Sequence, residues 1–330
     1  MENLLTKKES RNISVLRADL VSRKLLNPPN GFHKPYLGIF RFKTEEKINF
    51  IPGQYIALGI SRDGLFNELS YKAKEKKVVK IINGKETIIK PYSIASTPKD
   101  HEIELYVAWI NNCGQRLDSK GILTTELFDP KKETEYFFLS NKAKGNLYPP
   151  NNSKDVIMVS TKDGITPFRS ITKFRSIARN NPEKDDLRKY ILINGVSYFA
   201  DLAYKEELEN LQKVSEKSGN PWFEYFYSIS KEESQTKKYV EEFFFNRDSD
   251  YVKYLISNGK SQRLTEEEIK EGLTEGKTNN TKIEEILGKE LNPDNSVILL
   301  CGNDGTIKNM SLIAESKGYK SGVDLITESW

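Results

Sequence analysis

Four short turns rich in glycine, hydroxyl and charged residues follow β-forming runs in the second half of the sequence. These turns are Thr161-Lys162-Asp163-Gly164, Gly195-Val196-Ser197, Ser230-Lys231 and Gly302-Asn303-Asp304-Gly305. The first leads into a predicted helix with Thr166 as its N-cap and Pro167 in its first turn. A helix N-terminus presents unpaired N–H groups and favours anions such as a pyrophosphate. Because every strand–turn–helix unit needs glycines for turning, this feature alone leaves nucleotide binding and a purely structural turn equally open.

The third turn carries a chemical pattern of its own. Ser230, Lys231, Lys237 and Tyr239 place a hydroxyl, two ammonium groups and an aromatic ring just past the end of a predicted strand. Cations pair with phosphate groups, and aromatic rings stack on bases. The set therefore suits an adenine ribose that carries a 2′-phosphate. The alternative is a lysine-rich surface loop, which is common in a chain with so many lysines.

Metal chemistry is not indicated. The two cysteines, Cys113 and Cys301, are too few for a four-thiolate iron–sulfur cluster. The two histidines, His33 and His101, do not stand in a metal-ligand pattern. We therefore expect no metal site, and no disulfide if the compartment is reducing.

Length and charge narrow the classes of protein further. The 330 residues, 37% of them hydrophobic, suffice for two domains with modest cores. The net charge of +4 favours a solvated surface that could steer an acidic partner, and no aromatic-interleaved basic groove indicates nucleic acid. No apolar run approaches the roughly 20 residues of a membrane span, and the first twelve residues lack the apolar centre of a signal peptide. We expect a cytoplasmic protein.

The elements that must position these residues differ between the two halves of the chain. Residues 1–150 contain short alternating runs separated by Pro-Gly, Asn-Gly and Thr-Pro pairs, which is typical of antiparallel barrels or sandwiches. Residues 148–152 (Tyr-Pro-Pro-Asn-Asn) break the pattern, and strands then alternate with helices. We predict a β-barrel domain at 1–150 and a doubly wound parallel α/β domain at 151–330, with a charged inserted segment at about 240–295.

Six segments, in order along most of the chain, resemble motifs of the plant-type ferredoxin–NADP reductase family. In the first half, Lys90-Pro91-Tyr92-Ser93 resembles the flavin motif Arg-x-Tyr-Ser, and Gly121-Ile122-Leu123-Thr124 resembles Gly-x-x-Ser/Thr. In the second half, the segment 161–170 resembles Thr-Gly-Thr-Gly-Ile-Ala-Pro-Phe-Arg-Ser. Ser-Lys-Glu at 230–232 with Lys-Lys-Tyr at 237–239 resembles Ser-Arg-Glu with Lys-x-Tyr, residues 301–305 resemble Cys-Gly-x-x-Gly, and 328–330 resemble a terminal Glu-x-Tyr.

The resemblance implies a first domain of the Greek-key barrel type that holds FAD. Tyr92 would pack its ring on one face of the flavin, and Ser93 would form a hydrogen bond near its N5 atom. Lys90 would neutralise the pyrophosphate, and Trp330 would cover the other face of the flavin until the nicotinamide arrives. The implied FAD-binding residues are Lys90, Tyr92, Ser93, Ile94, Leu123, Thr124 and Trp330.

The second domain would by the same resemblance bind NADP(H). The implied NADP-binding residues are Thr161, Lys162, Gly164, Ser230, Lys231, Lys237, Tyr239 and Gly302, and the implied catalytic residues are Ser93, Cys301, Glu328 and Trp330. The implied activity is an oxidoreductase reaction, in which hydride passes between NADP(H) and FAD and single electrons pass between FAD and an acidic ferredoxin or flavodoxin.

Three departures from the family pattern bear on nucleotide binding. Lysine replaces arginine at Lys90 and Lys231, which keeps the charge but loses bidentate phosphate geometry. Lys162 and Asp163 replace Gly-Thr in the turn, so a side chain stands where backbone should approach phosphate, and a carboxylate would repel it. These changes leave the choice between NADPH and NADH open. The alternative they motivate is a flavin-carrying reductase component or electron-transfer subunit with weakened nucleotide binding.

Overall fold

The chain divides into two compact units, Met1–Gly145 and Asn146–Trp330. The computed structural model describes residues 14–26, 36–61, 79–82, 85–109, 119–129, 137–179, 187–231, 239–244, 267, 270 and 281–329. Within these residues, no helix combines the length and the apolar character needed to cross a membrane.

The first unit is an antiparallel sheet that curls into a barrel. Its strands are β1 (Val15–Leu25), β2 (Tyr36–Thr44), β3 (Tyr55–Ser61), β4 (Val79–Ile82), β5 (Lys85–Ser93), β6 (Ile103–Trp109) and β7 (Phe137–Ser140), in the order β4-β5-β3-β7-β1-β2-β6. An isolated antiparallel bridge between Ile94 and Leu105 joins the end of β5 to β6. Six strands therefore close on themselves, and β4 extends β5 as a hairpin partner. The predicted antiparallel barrel is confirmed.

Alternation of apolar side chains builds the barrel core. Ile56, Leu58 and Ile60 on β3 all face inward and are almost fully buried, as the period of two along a strand requires. Phe40 on β2 stacks edge-on against Phe128, with ring centroids 5.1 Å apart. Aromatic and branched residues thus fill the barrel with little free volume.

One helix, α1 (Ser119–Phe128), lies between β6 and β7 and packs against β5 and β6. The family resemblance identifies residues 121–124 as a flavin segment, and the sequence pattern predicts no helix there. Leu123 and Leu127 are four residues apart, fully buried in the barrel core, and Phe128 joins them. The helix forms because this short apolar stripe covers the barrel interior.

The second unit is a parallel sheet between helices. It contains β8 (Asp155–Thr161), α2 (Ile165–Arg179), β9 (Tyr190–Val196), α3 (Lys205–Glu216), β10 (Phe223–Ile229), α4 (Lys282–Leu287), β11 (Ser296–Gly302), α5 (Asp304–Ser316) and β12 (Leu325–Ser329). The strand order is β10-β9-β8-β11-β12, and all four pairings are parallel. Every residue of β9 and β11 is buried, as expected for central strands covered on both faces. The predicted doubly wound sheet is confirmed.

Helix α2 begins differently from the prediction. Residues Lys162–Gly164 form a single 3₁₀ turn, and α2 starts directly after it at Ile165. The hydroxyl of Thr166 donates to the carbonyl of Asp163 at 2.5 Å, so Thr166 closes the preceding turn and is not an N-cap. Pro167 remains in the first turn, where a missing N–H costs nothing.

The ends of the charged segment at 240–295 belong to the core of this unit. Val240 and Phe244, on the 3₁₀ helix Val240–Phe244, are buried, as are Ile283 on α4 and Leu291. Residues 245–266, 268–269 and 271–280 lie outside the described residues. The expected surface insertion is therefore wrong at its two ends, where apolar side chains pack under the sheet.

Glu284 on α4 forms hydrogen bonds with the start of its own helix, with the segment before β11 and with the end of α5. Its carboxylate accepts hydrogen bonds from the N–H of Thr281 at 2.9 Å and of Leu291 at 3.1 Å, and from Nζ of Lys317 at 3.0 Å. Burial alone would raise its pKa, but these hydrogen bonds outweigh burial and hold the pKa below the ordinary value of 4.5.

We expect Glu284→Gln to lower the free energy of unfolding by about 1.5 kcal/mol at neutral pH. A depressed pKa contributes stability that is present above the unfolded-state pKa and lost as the pH falls through the folded-state pKa. The difference between variant and wild type should therefore shrink below pH 4.5, as measured by urea unfolding at several pH values. Glu285→Gln, whose side chain is 62% exposed, is the control and should cost no more than about 0.5 kcal/mol. A pH-independent difference at Glu284 would contradict this explanation.

Candidate functional site

A pocket of about 210 Å³ opens at the carboxyl edge of the parallel sheet in the second unit. Its walls come from the turns after β8, β9 and β10, from the 3₁₀ helix at 240–244 and from the start of α5. Ligands bind at this edge in open α/β sheets. The structure brings five of the residues implied for NADP(H) together here, namely Thr161, Lys162, Ser230, Lys231 and Tyr239.

The turn after β8 packs backbone against backbone with the end of β11. A Cβ atom at position 164 would overlap the carbonyl oxygen of Cys301 and lie 2.6 Å from its carbonyl carbon. Gly302 has φ +147, and a Cβ there would lie 3.0 Å from the backbone nitrogen of Thr161 and closer still to its hydroxyl. Neither glycine lines the pocket, and both let the ends of β8 and β11 approach each other closely.

Thr161 links this turn to helix α5. Its Oγ1 accepts hydrogen bonds from the backbone N–H and from Nδ2 of Asn303, both at 3.1 Å. Oδ1 of Asn303 in turn accepts from the N–H of Thr306 at 3.1 Å, so Asn303 is the N-cap of α5. The hydroxyl of Thr161 is thereby fixed beside the start of a helix, where anions are favoured.

The turn after β10 is held in place by the turn after β9. The N–H of Ser230 donates to the carbonyl of Val196, and the N–H of Lys231 donates to the carbonyl of Ser197, both at 3.0 Å. The Lys231 side chain itself is exposed. An exposed lysine whose backbone is held in place is suited to binding an anionic group at the opening of the pocket. Lys237, implied for the same group, lies outside the described residues.

Cys301 lies at the end of β11, paired in register with Ser160 of β8 and Glu328 of β12. Its side chain is buried, and burial, followed by the charges of Glu328 and Asp163, raises the pKa of the thiol well above its ordinary value. The thiol therefore stays protonated, and it can donate a weak hydrogen bond but cannot act as a nucleophile. Trp330 lies outside the described residues.

The candidate flavin residues of the first unit occupy the end of β5. Lys90 and Tyr92 pair with Leu58 and Ile56, two fully buried residues of β3, so they share the inward face of the strand with Ile88. A half-buried lysine and a half-buried tyrosine thus stand where the pattern calls for core residues. Polar side chains therefore replace apolar ones on the inward face of β5 at this end of the barrel.

The other implied flavin residues lie nearby in the same unit. Ser93 is 9% exposed, and Ile94 is fully buried with its N–H donating to the carbonyl of Gln54 at 3.0 Å. Leu123 and Thr124 lie in the second turn of α1, which packs against β5. Because the Leu123 side chain is enclosed in the core, any contribution of this helix to a ligand falls to Thr124 and the backbone.

Comparison with known proteins gives a consistent result for both units. A family model described as "Oxidoreductase NAD-binding domain" matches residues 158–262. The flavodoxin/ferredoxin–NADP reductase of Buchnera aphidicola is 25% identical over 260 residues, which cover 78% of this chain and 80% of that protein. The chloroplastic ferredoxin–NADP reductase of Spinacia oleracea is 25% identical over 306 residues, covering 88% of this chain and 71% of that protein. Over most of its length the chain is therefore similar to ferredoxin–NADP reductases.

Solved structures agree on the fold. The ferredoxin NADP⁺ reductase of Neisseria gonorrhoeae, solved with FAD and NADP, superposes with a TM-score of 0.60 at 18% identity and covers 96% of this chain and 98% of that one. The flavohaem-like FAD/NAD-binding domain of a Vibrio cholerae nitric oxide dioxygenase gives 0.57 at 13% identity, with 96% of this chain and 98% of that chain covered. The fold is thus shared with a ferredoxin NADP⁺ reductase and with a domain of a nitric oxide dioxygenase.

One departure from the ferredoxin–NADP reductase pattern has a conformational consequence. Lys162, which stands where the family motif has glycine, adopts a left-handed backbone with φ +52. Glycine takes this conformation without penalty, whereas other residues pay about 1 kcal/mol or more. The turn therefore adopts a conformation that favours glycine although lysine occupies the position, and Lys162 lines the pocket.

We expect Lys162→Gly to raise the free energy of unfolding by about 0.5 kcal/mol, because relief of the left-handed strain exceeds the added entropy of the unfolded chain. Lys213→Gly, in the exposed face of α3, is the matched contrast and should lower it by about 1 kcal/mol. Thermal unfolding of the two variants checks both signs. If Lys162→Gly lowered the free energy of unfolding as much as Lys213→Gly does, the strain interpretation would be contradicted.

Two residues that line the pocket, Thr306 and Glu241, were not predicted from the sequence. Thr306 follows Asn303 of the fourth predicted turn, and an asparagine directly before an apolar-periodic helix is a recognisable cap signal. Glu241 lies on a 3₁₀ helix of five residues. So short a helix has no periodicity, and no local signal indicates that its carboxylate faces a binding site.

Proposed function

We propose that the chain is an FAD-dependent reductase that exchanges electrons between NADPH and a ferredoxin or flavodoxin in the cytoplasm. The observation that carries this is the pocket at the carboxyl edge of the parallel sheet, where cations, hydroxyls and a tyrosine from three separate turns converge. The names of its relatives, which are ferredoxin–NADP or flavodoxin/ferredoxin–NADP reductases, support the same activity.

The pocket residues divide between two parts of the nucleotide. Ser230 and Lys231, with Lys237 beyond the described residues, would hold the 2′-phosphate, and Tyr239 would stack on adenine. Thr161 and the Lys162 ammonium would face the pyrophosphate beside the start of α5. Because the residues that face the 2′-phosphate and adenine differ from those that face the pyrophosphate, the pocket would bind the nucleotide in one orientation.

The end of β5 has the chemistry to hold FAD. Tyr92 is anchored on the barrel core by one side and partly exposed on the other, which suits stacking on a planar ring. Ser93 would donate a hydrogen bond to the flavin, Lys90 would neutralise its pyrophosphate with Thr124 nearby, and Trp330 would cover the second face. FAD, when bound, supplies the chemistry that links a two-electron donor to a one-electron acceptor.

The residues around the nicotinamide would act by position rather than by covalent chemistry. Cys301, kept protonated by burial, and Glu328 on the neighbouring strand would border the nicotinamide and exclude water. Neither residue is placed to accept a covalent bond. The expected contribution of both is alignment, which affects the rate steeply with small displacements.

The acceptor would be an acidic electron-transfer protein. The chain carries a net charge of +4, and the exposed face of β1 and β2 includes Arg17, Lys24 and Lys43. Complementary charge raises the rate of association with an acidic partner and makes it sensitive to salt.

The test is the visible spectrum of the purified chain under anaerobic conditions. A bound flavin spectrum that bleaches rapidly with NADPH, followed by reoxidation on adding ferredoxin or flavodoxin, would support the proposal. A colourless protein that does not take up added FAD would overturn it. Bleaching that is followed by electron transfer only to dyes, and to neither protein, would refute the proposed partner.

A second candidate is a flavin-carrying reductase component or electron-transfer subunit of another redox system. Two observations favour it: the altered turn at Lys162 and Asp163, and the shared fold with a domain of nitric oxide dioxygenase. In that case flavin binds normally, but neither NADPH nor NADH bleaches it within the time of a turnover.

A further inference from the structure

A buried acidic residue belongs to the lining of the candidate nucleotide pocket. Glu241 is 2% exposed and lines this pocket together with Lys162 and Lys231. Its Oε1 accepts a hydrogen bond from Nδ2 of Asn309 on α5, at 3.4 Å. The pocket therefore holds both signs of charge, although its implied ligand is strongly anionic.

The surrounding packing fixes the position of this carboxylate. Val240 packs onto the turn after β9, where a Cβ at Gly195 would lie 2.7 Å from its Cγ1, and Phe244 is enclosed in the core. Glu242 accepts from the N–H of Tyr239 at 2.8 Å, which orders the chain just before Glu241. The backbone on both sides of Glu241 is therefore held in place.

A fixed carboxylate acts differently on the two forms of the nucleotide. It can accept a hydrogen bond from a ribose hydroxyl, as an acidic residue does for the 2′-OH in many dinucleotide-binding folds. It repels a 2′-phosphate, and the repulsion is poorly screened because the group is withdrawn from water. Lys231 has the opposite preference, since its charge is useful only when the phosphate is present.

We propose that Glu241 opposes Lys231 and sets the nucleotide preference, so that the pocket accepts NADH as well as NADPH. The inference deepens the proposed function and rests on the nucleotide site described there. The wild-type chain should use both nucleotides, with kcat/KM values within about 100-fold of each other, because one fixed anion and one exposed cation act in opposite directions.

The test compares two neutral variants with a matched control. Glu241→Gln keeps the shape and can still accept from Asn309, and Glu241→Met keeps the volume if glutamine does not fold. Glu206→Gln removes the same charge from an exposed position on α3. The ratio of kcat/KM for NADPH to that for NADH should rise about 10-fold in both neutral variants and stay unchanged in the control.

Binding measurements separate failure of this inference from failure of the proposed function. Calorimetric titration with 2′-phospho-AMP and with 5′-AMP reports on the pocket even if no flavin is reduced, and the neutral variants should favour 2′-phospho-AMP by the same factor. If neither NADPH nor NADH bleaches the wild type, the proposed function fails, while this titration still decides the role of Glu241. An unchanged or lower preference for the 2′-phosphate in both variants, or a wild type whose kcat/KM for NADH is more than about 100-fold below that for NADPH, would overturn the inference.

Discussion

Replacing Gly164 with alanine is expected to lower the free energy of unfolding by about 3 kcal/mol and to weaken NADPH binding. A Cβ at this position would overlap the carbonyl oxygen of Cys301 and lie 3.0 Å from the Cα of Gly302. Both neighbours are backbone atoms at the end of a central, fully buried strand, so they cannot rotate away as a side chain would. The turn after β8 would have to move, and Thr161 and Lys162 would move with it.

Gly219→Ala separates this clash from the general effect of replacing a glycine. Gly219 has φ +76 and nothing within 4 Å of its added Cβ, so alanine there costs only the left-handed strain of about 1 kcal/mol. Urea unfolding of the two variants, together with titration by NADPH, makes the comparison. Equal losses of stability at the two positions would show that close packing of the strand ends does not matter.

Lys231→Gln is expected to lower kcat/KM for NADPH about 30-fold while changing that for NADH less than about 3-fold, because a charge-assisted contact to phosphate is worth about 2 kcal/mol. The backbone of residue 231 is fixed by its hydrogen bond to Ser197, so the substitution removes the charge without moving the turn. Steady-state kinetics with both nucleotides measure the effect.

The control for this variant is Lys217→Gln, at the exposed end of α3, which removes the same charge far from the pocket. It should leave both values of kcat/KM unchanged. An equal fall with NADPH and NADH in Lys231→Gln would assign the lysine to the pyrophosphate or to general attraction, and not to recognition of the 2′-phosphate.

Much of the pocket could be predicted because parallel strands share one edge. Once the second half was recognised as alternating strands and helices, the turns at Thr161, Gly195 and Ser230 had to meet at the carboxyl ends. The local patterns do not encode which strands are neighbours. The close approach of Gly164 to Cys301 follows from the adjacency of β8 and β11, which are 135 or more residues apart in the chain (Val156 pairs with Val297).

The parts that escaped prediction have local physical causes. A bulge between Leu20 and Ser22 shifts the register of β1 and interrupts the alternation that would identify this strand. Helix α1 spans ten residues and shows its apolar stripe only at Leu123, Leu127 and Phe128, too short a run to distinguish from a strand. The place of Glu241 in the pocket could not be predicted, because its burial depends on contacts with residues distant in the chain, such as Asn309, which is 68 residues away.

The single bridge between Ile94 and Leu105 makes the seam of the barrel coincide with the flavin motif. The seam also includes the Ala95 N–H donating to the Glu104 carbonyl at 2.8 Å and the Glu104 N–H donating to Ser96 Oγ at 3.0 Å. A cofactor held at Ser93, as proposed, would therefore stabilise this seam by binding only its closed form. Amide hydrogen exchange at residues 94–95 would then slow when the cofactor binds.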